Sequence, residues 1–169
     1  SLVHLDGGKN AFMRDAPQPG TTTQEALHTL TDLGSHYLAG LLEQVRGMVV
    51  LCTPTLNGFG RFRPNALAPQ AVLWGKDNRG AMLRVVGQAG DKATRIENRL
   101  GEPAANPYLY MASQIYAGLD GVVHELTPPP ATDTPYGNAN AEQIPGDLEQ
   151  ALAALKADTV LNTALGPDF

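Results

Sequence analysis

"TRIENRL" (residues 94–100) sets Arg95, Glu97 and Arg99 at alternate positions, with Ile96, Asn98 and Leu100 interleaved or following. In a strand, successive side chains face opposite ways, so the three charged groups share one face and the other three residues share its reverse. This reading decides the fold, because a strand here gives sheet neighbours to two apolar runs before it. "AVLWG" (71–75) and "AMLRVVG" (81–87) are parted by "KDNR", and the polar turn "GQAGDK" then leads into the third strand. Helical text lies on both sides of this block. The expected class is therefore α+β, with antiparallel strands and packed helices.

Upstream, Thr22 and Glu25 have capping-box spacing, and Leu27, Leu30, Leu33, Tyr37, Leu38, Leu41, Leu42 and Val45 recur at helical intervals. The pattern predicts a helix over 23–46, weakened by Gly34, Gly40 and Gly47, with "MVVLCTP" as a second buried segment ending before Pro54. Downstream, Asn106 caps a helix with Pro107 at its first position; Leu109, Ala112, Ile115, Tyr116 and Leu119 mark its expected buried side, and its end is expected near Gly121. Residues 127–146, rich in Pro, Asn, Thr and Ala, predict an extended surface crossing. Asp147 then opens the helix former "DLEQALAALKAD", followed by "TVLNTAL" closed by Gly166. The turn-rich "DGGKN" and "APQPG" at the start predict a hairpin or loop.

With 169 residues, 43% of them hydrophobic and 17% charged, the chain can bury a core and reads as one soluble globular unit. A net charge of -5 disfavours a general attraction to nucleic acid or to an anionic membrane. The N-terminus lacks the basic start and apolar core of a signal peptide, and no apolar run approaches the roughly 18 residues of a membrane span. The four histidines are scattered and Cys52 is the single cysteine, so neither an internal disulfide nor a zinc-type spacing exists. A reducing cytoplasm fits best. Cys52 is expected to be buried and inert, and Trp74, Tyr108, Tyr110 and Tyr116 to be packing residues. His36 is expected on a polar face or in the core, and "NGFGR" as a flexible loop.

Against this sparse charge, six arginines crowd between residues 61 and 99: Arg61, Arg63, Arg79, Arg84, Arg95 and Arg99. The segment 53–70, "TPTLNGFGRFRPNALAPQ", is irregular and long enough to carry function. Guanidinium groups match carboxylate and phosphate oxygens in bidentate geometry, so a convergent set suits a ligand bearing both. Glu97 between Arg95 and Arg99 has two readings. Ion pairing on a solvated face is the more frequent outcome for such spacing, and binding of a hard cation that bridges phosphate oxygens is the other.

Taken together, "TPTLNGFGRFRPNALAP", "WGKDNRGAMLR", "RIENRLGEPAANPYLYMASQIYAGLDG" and "LEQALAALKADTVLNTALGPDF" resemble, in order and spacing, the C-terminal half of the glutamine synthetase catalytic domain. The likeness runs from about residue 7 onward. It implies that residues 1–169 are the C-terminal portion of that domain, with the small β domain and the first catalytic half lying before Ser1. His4 does not match the family's histidine ahead of the "DGKN" region. The family joins glutamate to ammonia in two steps, through a γ-acyl phosphate made from ATP.

By the same resemblance Glu97 is the ligand of a magnesium (or manganese) ion, and Arg61 and Arg99 hold the glutamate substrate. Arg79 and Arg84 face the phosphates, Lys92 and Arg95 contact the nucleotide, and Arg79 and Arg99 are the catalytic candidates. A flap glutamate of ammonia-using members corresponds to Leu67, whose side chain neither attracts a cation nor accepts a proton. That points to an organic amine, of the polyamine or aromatic-amine branches, and to a γ-glutamylamide product. The resemblance implies a cytoplasmic, ring-shaped homo-oligomer and an inactive isolated fragment. The alternative is a non-catalytic structural or regulatory module, against which the retained Glu97 and arginines argue.

Overall fold

The computed structural model describes residues 2–16, 29–63, 66–136, 140–167 and 169. Helix α1 (Asp32–Glu43) begins where the Thr31 hydroxyl accepts a hydrogen bond from the Gly34 amide at 3.1 Å. The single helix expected over 23–46 is not continuous, because Leu30 forms an antiparallel bridge with Met13 that holds residue 30 outside α1; the expected start at residue 23 lies outside the described residues. The Thr22–Glu25 pair lies outside the described residues. At Gln44 (φ -91°, ψ 4°) the helix breaks and resumes as α2 (Val45–Cys52), so the one predicted helix is two, and "MVVLC" is the body of the second.

Helix α4 (Pro107–Val123) starts as its sequence dictates, with the Asn106 side-chain oxygen accepting from the amides of Tyr108 and Leu109. It runs two residues past Gly121, and its expected buried side is only partly so, Leu109 packing against the core and Ala112 half-buried while the rest turn outward. Ser113, Ala117, Gly118 and Gly121 face inward, while Ile115, Tyr116 and Leu119 are 46%, 38% and 43% exposed. The small residues win because they let the backbone of α1 approach. A Cβ on Gly121 would lie 2.7 Å from the Gly40 Cα, so this crossing admits nothing larger than glycine. The bulkier apolar side chains, Tyr108 among them, are then left on the outer face. Across the crossing, the Gln44 amide donates to the Asp120 carboxylate at 3.0 Å.

Helices α5 (Leu148–Ala157) and α6 (Thr159–Leu165) follow the predicted pattern: Asp147 accepts from the Gln150 amide and Asp158 from the Leu161 amide, both at 2.8 Å. Gly166, at φ 87°, ends α6. α5 packs on α2, burying Ala151 and Leu155 in a core shared with Leu38, Met48, Val49, Cys52, Trp74 and Leu83.

Strands β1 (Trp74–Lys76), β2 (Leu83–Val86) and β3 (Arg95–Asn98) form one sheet in the order β1-β2-β3. The expected antiparallel pairing holds for β2 and β3, with Arg84 opposite Glu97; β1 joins β2 in parallel, with Trp74 opposite Leu83. Parallel neighbours ordinarily need a crossover of a dozen residues or more. Here residues 77–82 suffice, because β1 is only three residues long and Asp77, at φ 51°, turns the chain back. The Trp74 indole donates to the Pro129 carbonyl at 2.7 Å, and Ala71 bridges to Gln143, so the 127–146 crossing is fastened at both ends. In the "DGGKN" turn, the buried Asn10 amide donates to the Thr94 carbonyl at 2.6 Å and the Lys92 carbonyl at 3.1 Å, clamping the entry to β3.

Candidate functional site

The antiparallel register brings Arg84 of β2 against Glu97 of β3, with Arg84 Nη1 3.2 Å from Glu97 Oε2. On the other side of the same carboxylate, Arg99 Nε lies 3.7 Å from Oε1. Arg99 follows β3 directly and continues its ladder, its amide donating to the Met82 carbonyl at 3.0 Å. One carboxylate thus stands between two guanidiniums, each about four-fifths buried at the side chain (18% and 20% exposed). Asp77 approaches Arg84 Nη2 at 3.7 Å but is largely in solvent.

Two of these arginine nitrogens, Arg84 Nε and Arg99 Nη1, are buried with no hydrogen-bond partner among the described residues. Leaving a buried donor unpaired costs about 1–3 kcal/mol, more for a charged group. A cluster built only to stabilise the sheet would not carry two such donors.

Arg61 reaches this place from the loop. Thr55 caps the single turn α3 (Leu56–Phe59) and is itself held by Glu102, whose carboxylate accepts from the Thr55 amide at 2.9 Å and its hydroxyl at 3.0 Å. Emerging from that turn, Arg61 donates through Nη1 to the carbonyls of Leu100 (3.2 Å) and Gly101 (3.0 Å). It therefore stands beside Arg99 although it lies 38 positions earlier in the text. Arg61, Arg63, Ala66, Leu67, Ala68 and Arg99 line an open cavity of about 400 Å³. Leu67 is 82% exposed there, and its carbonyl receives a 3.4 Å contact from Arg99 Nη2.

Of the residues singled out in the sequence, Arg61, Leu67, Arg84, Glu97 and Arg99 come together. Arg79, Lys92 and Arg95 stay exposed outside the cavity lining: Arg79 is in the β1–β2 connection, the Lys92 carbonyl accepts from the Asn10 side chain, and Arg95 donates to the nearby Ala93 carbonyl at 3.1 Å. Arg63 had no role assigned, yet it lines the cavity; the alternation in "RFR" was the available signal. Tyr108 and Tyr116, expected as packing residues, are exposed, whereas Tyr110 is half-buried and donates to the Asn98 carbonyl at 3.4 Å.

No group of three or more His, Cys, Asp or Glu side chains that could hold a metal exists among the described residues. The donor set fits an ion held in part by ligand phosphates. Magnesium commonly takes one or two carboxylates, keeps several waters and completes its octahedron with substrate oxygens, and Glu97 offers one such carboxylate beside two cations suited to phosphate. Cys52 takes no part: burial pushes its thiol up to about 12, with no exposure to solvent.

The family described as "Glutamine synthetase, catalytic domain" matches residues 1–169. A γ-glutamylanilide synthase of Acinetobacter sp is 44% identical over 161 residues, covering 95% of this chain and 30% of that protein. A glutamine synthetase of Thermus thermophilus is 37% identical over 167 residues, covering 94% of this chain and 35% of that protein. Among solved structures, apo GmaS without ligand superimposes with a TM-score of 0.77 at 33% identity, covering 95% of this chain and 35% of that one. The chain thus spans about a third of the length of these relatives.

Proposed function

Because the chain belongs to the glutamine synthetase catalytic-domain family, we propose that it supplies the phosphate-, metal- and glutamate-facing side of an ATP-dependent amide ligase. The observation that carries this reading is the carboxylate of Glu97 held between Arg84 and Arg99, with Arg99 also lining the cavity it shares with Arg61. In this reading residues 1–169 are the C-terminal portion of a longer cytoplasmic protein that assembles as a ring of identical subunits.

Arg61 and Arg99 hold the carboxylates of glutamate at the cavity they share. Glu97 holds a magnesium (or manganese) ion, which when bound neutralises charge on the ATP phosphates. Arg84 stabilises the phosphoryl group in transit, and Arg79, Lys92 and Arg95 approach the nucleotide from the exposed rim. A γ-carboxylate oxygen of glutamate attacks the terminal phosphorus of ATP, and the bond to the ADP oxygen breaks. The lone pair of an amine then attacks the acyl carbon of the γ-glutamyl phosphate. Inorganic phosphate leaves, and the amine gives up a proton to phosphate or water. Leu67, an apolar wall where the ammonia-using pattern has a carboxylate, favours an organic amine and a γ-glutamylamide product.

The test is phosphate release by the protein that carries this chain, at full natural length, with ATP, magnesium and glutamate. Organic amines are expected to stimulate release more than ammonium does at equal concentration. Release indifferent to every amine defeats the ligase reading. Release with ammonium alone defeats the role given to Leu67.

A further inference from the structure

Among the described residues, three guanidiniums line the cavity beside Leu67, and no carboxylate does. Two of them have backbone partners, Arg61 at the Leu100 and Gly101 carbonyls and Arg99 at the Leu67 carbonyl, and both are engaged by the glutamate site proposed above. The third, Arg63, is exposed, and its side chain has no hydrogen bond or ion pair among the described residues. A glutamate substrate already has its cations, so Arg63 is charge in excess of that need.

Resting on the ligase reading, we infer that Arg63 selects the acceptor by charge, and that the acceptor is an aromatic amine bearing a carboxylate, of the aminobenzoate class. Ammonium, alkylamines and polyamines are cations at neutral pH, and with Arg61 and Arg99 neutralised by the bound glutamate, the unpaired charge of Arg63 still repels them. An aromatic amine is neutral there, because its nitrogen lone pair is delocalised into the ring and its conjugate acid is strong. It arrives with the lone pair free, ready to attack the acyl phosphate without any carboxylate to remove a proton first. No base is needed before attack, where Leu67 could provide none, and the proton the nitrogen carries afterwards goes to the departing phosphate or to water. The ring rests on Leu67, Ala66 and Ala68, and a carboxylate across the ring meets Arg63 in bidentate geometry.

The experiment compares kcat/KM for 4-aminobenzoate and for aniline in the full-length protein, wild type against Arg63→Gln and Arg63→Lys, with glutamate, ATP and magnesium saturating. Wild type is expected to favour 4-aminobenzoate by roughly tenfold, the scale of one charge-assisted hydrogen bond in a solvent-accessible site. The preference is expected mainly in KM, to collapse toward unity in Arg63→Gln, and to survive in large part in Arg63→Lys. Aniline-dependent turnover with no preference for 4-aminobenzoate, or a preference untouched by Arg63→Gln, overturns the inference and leaves the ligase reading standing. Absence of turnover with every amine removes both.

Discussion

The α1–α4 crossing and the β2–β3 pair are held by different chemistry. At the crossing, contact is so close that Gly40 and Gly121 meet through their backbones, and the surrounding groups are satisfied: the Tyr37 hydroxyl donates to the Gln114 carbonyl at 2.7 Å, and His36 Nδ1 lies 2.8 Å from the Leu126 carbonyl. In the sheet, three short strands carry a row of charges, two guanidinium nitrogens have no partner among the described residues, and the adjoining cavity is open. The first region is complete without a ligand. The second is left with unpaired donors and is the poorer contributor to stability, since partly exposed ion pairs return about 1 kcal/mol or less.

The largest separation of the two regions is expected from Glu97→Gln in the full-length protein. Amine-dependent phosphate release should fall on the order of 10²- to 10³-fold, the scale of losing one preorganised electrostatic group, while the denaturant midpoint moves little. An equal loss of stability would mean that the sheet cluster is structural after all. Gly121→Ala is the reciprocal change. It is expected to cost about 3 kcal/mol in a denaturation curve, at the upper end of overpacking, with activity per folded molecule retained. A stability loss below about 0.5 kcal/mol would show that the helices can slide apart.

The mildest probe is Cys52, at the end of α2, whose Sγ lies 3.7 Å from Gln114 Nε2 of α4. Its thiol, raised from 9.0 to about 12 by burial, should resist an aromatic disulfide reagent at mildly alkaline pH in the native protein and react on unfolding. Because the folded thiol holds its proton more tightly than the unfolded one, stability should decline as pH rises from about 9 toward 12. Gly121→Ala should hasten labelling and Glu97→Gln should not. Equal labelling rates in the two variants would erase the distinction between the regions.

These regions were also unequally legible. Local chemistry announced Asn106–Pro107, Asp147 and Gly166, because a cap or a terminator acts within a few residues of itself. The inward face of α4 was not legible: apolar residues occur all around "PYLYMASQIYAGLDGVV", and the face was chosen by which side chains are small enough for α1 to approach. The parallel entry of β1 rests on one unusual dihedral at Asp77, which composition does not specify. Glu97 between arginines was visible in the spacing of β3, but the arginine that approaches most closely, Arg84, comes from the neighbouring strand and needed the register. Arg63 was counted among the clustered arginines but given no role, because the loop conformation that sets it beside Arg61 at the cavity acts over more than the "RFR" alternation.

One further property follows from Trp74, the chain's single indole, which is 1% exposed at the start of β1 and fastened to Pro129. The protein carries its own optical gauge in the sheet layer. Its ultraviolet emission takes its colour from the dryness of the sheet's root, so melting of that layer is visible without any dye.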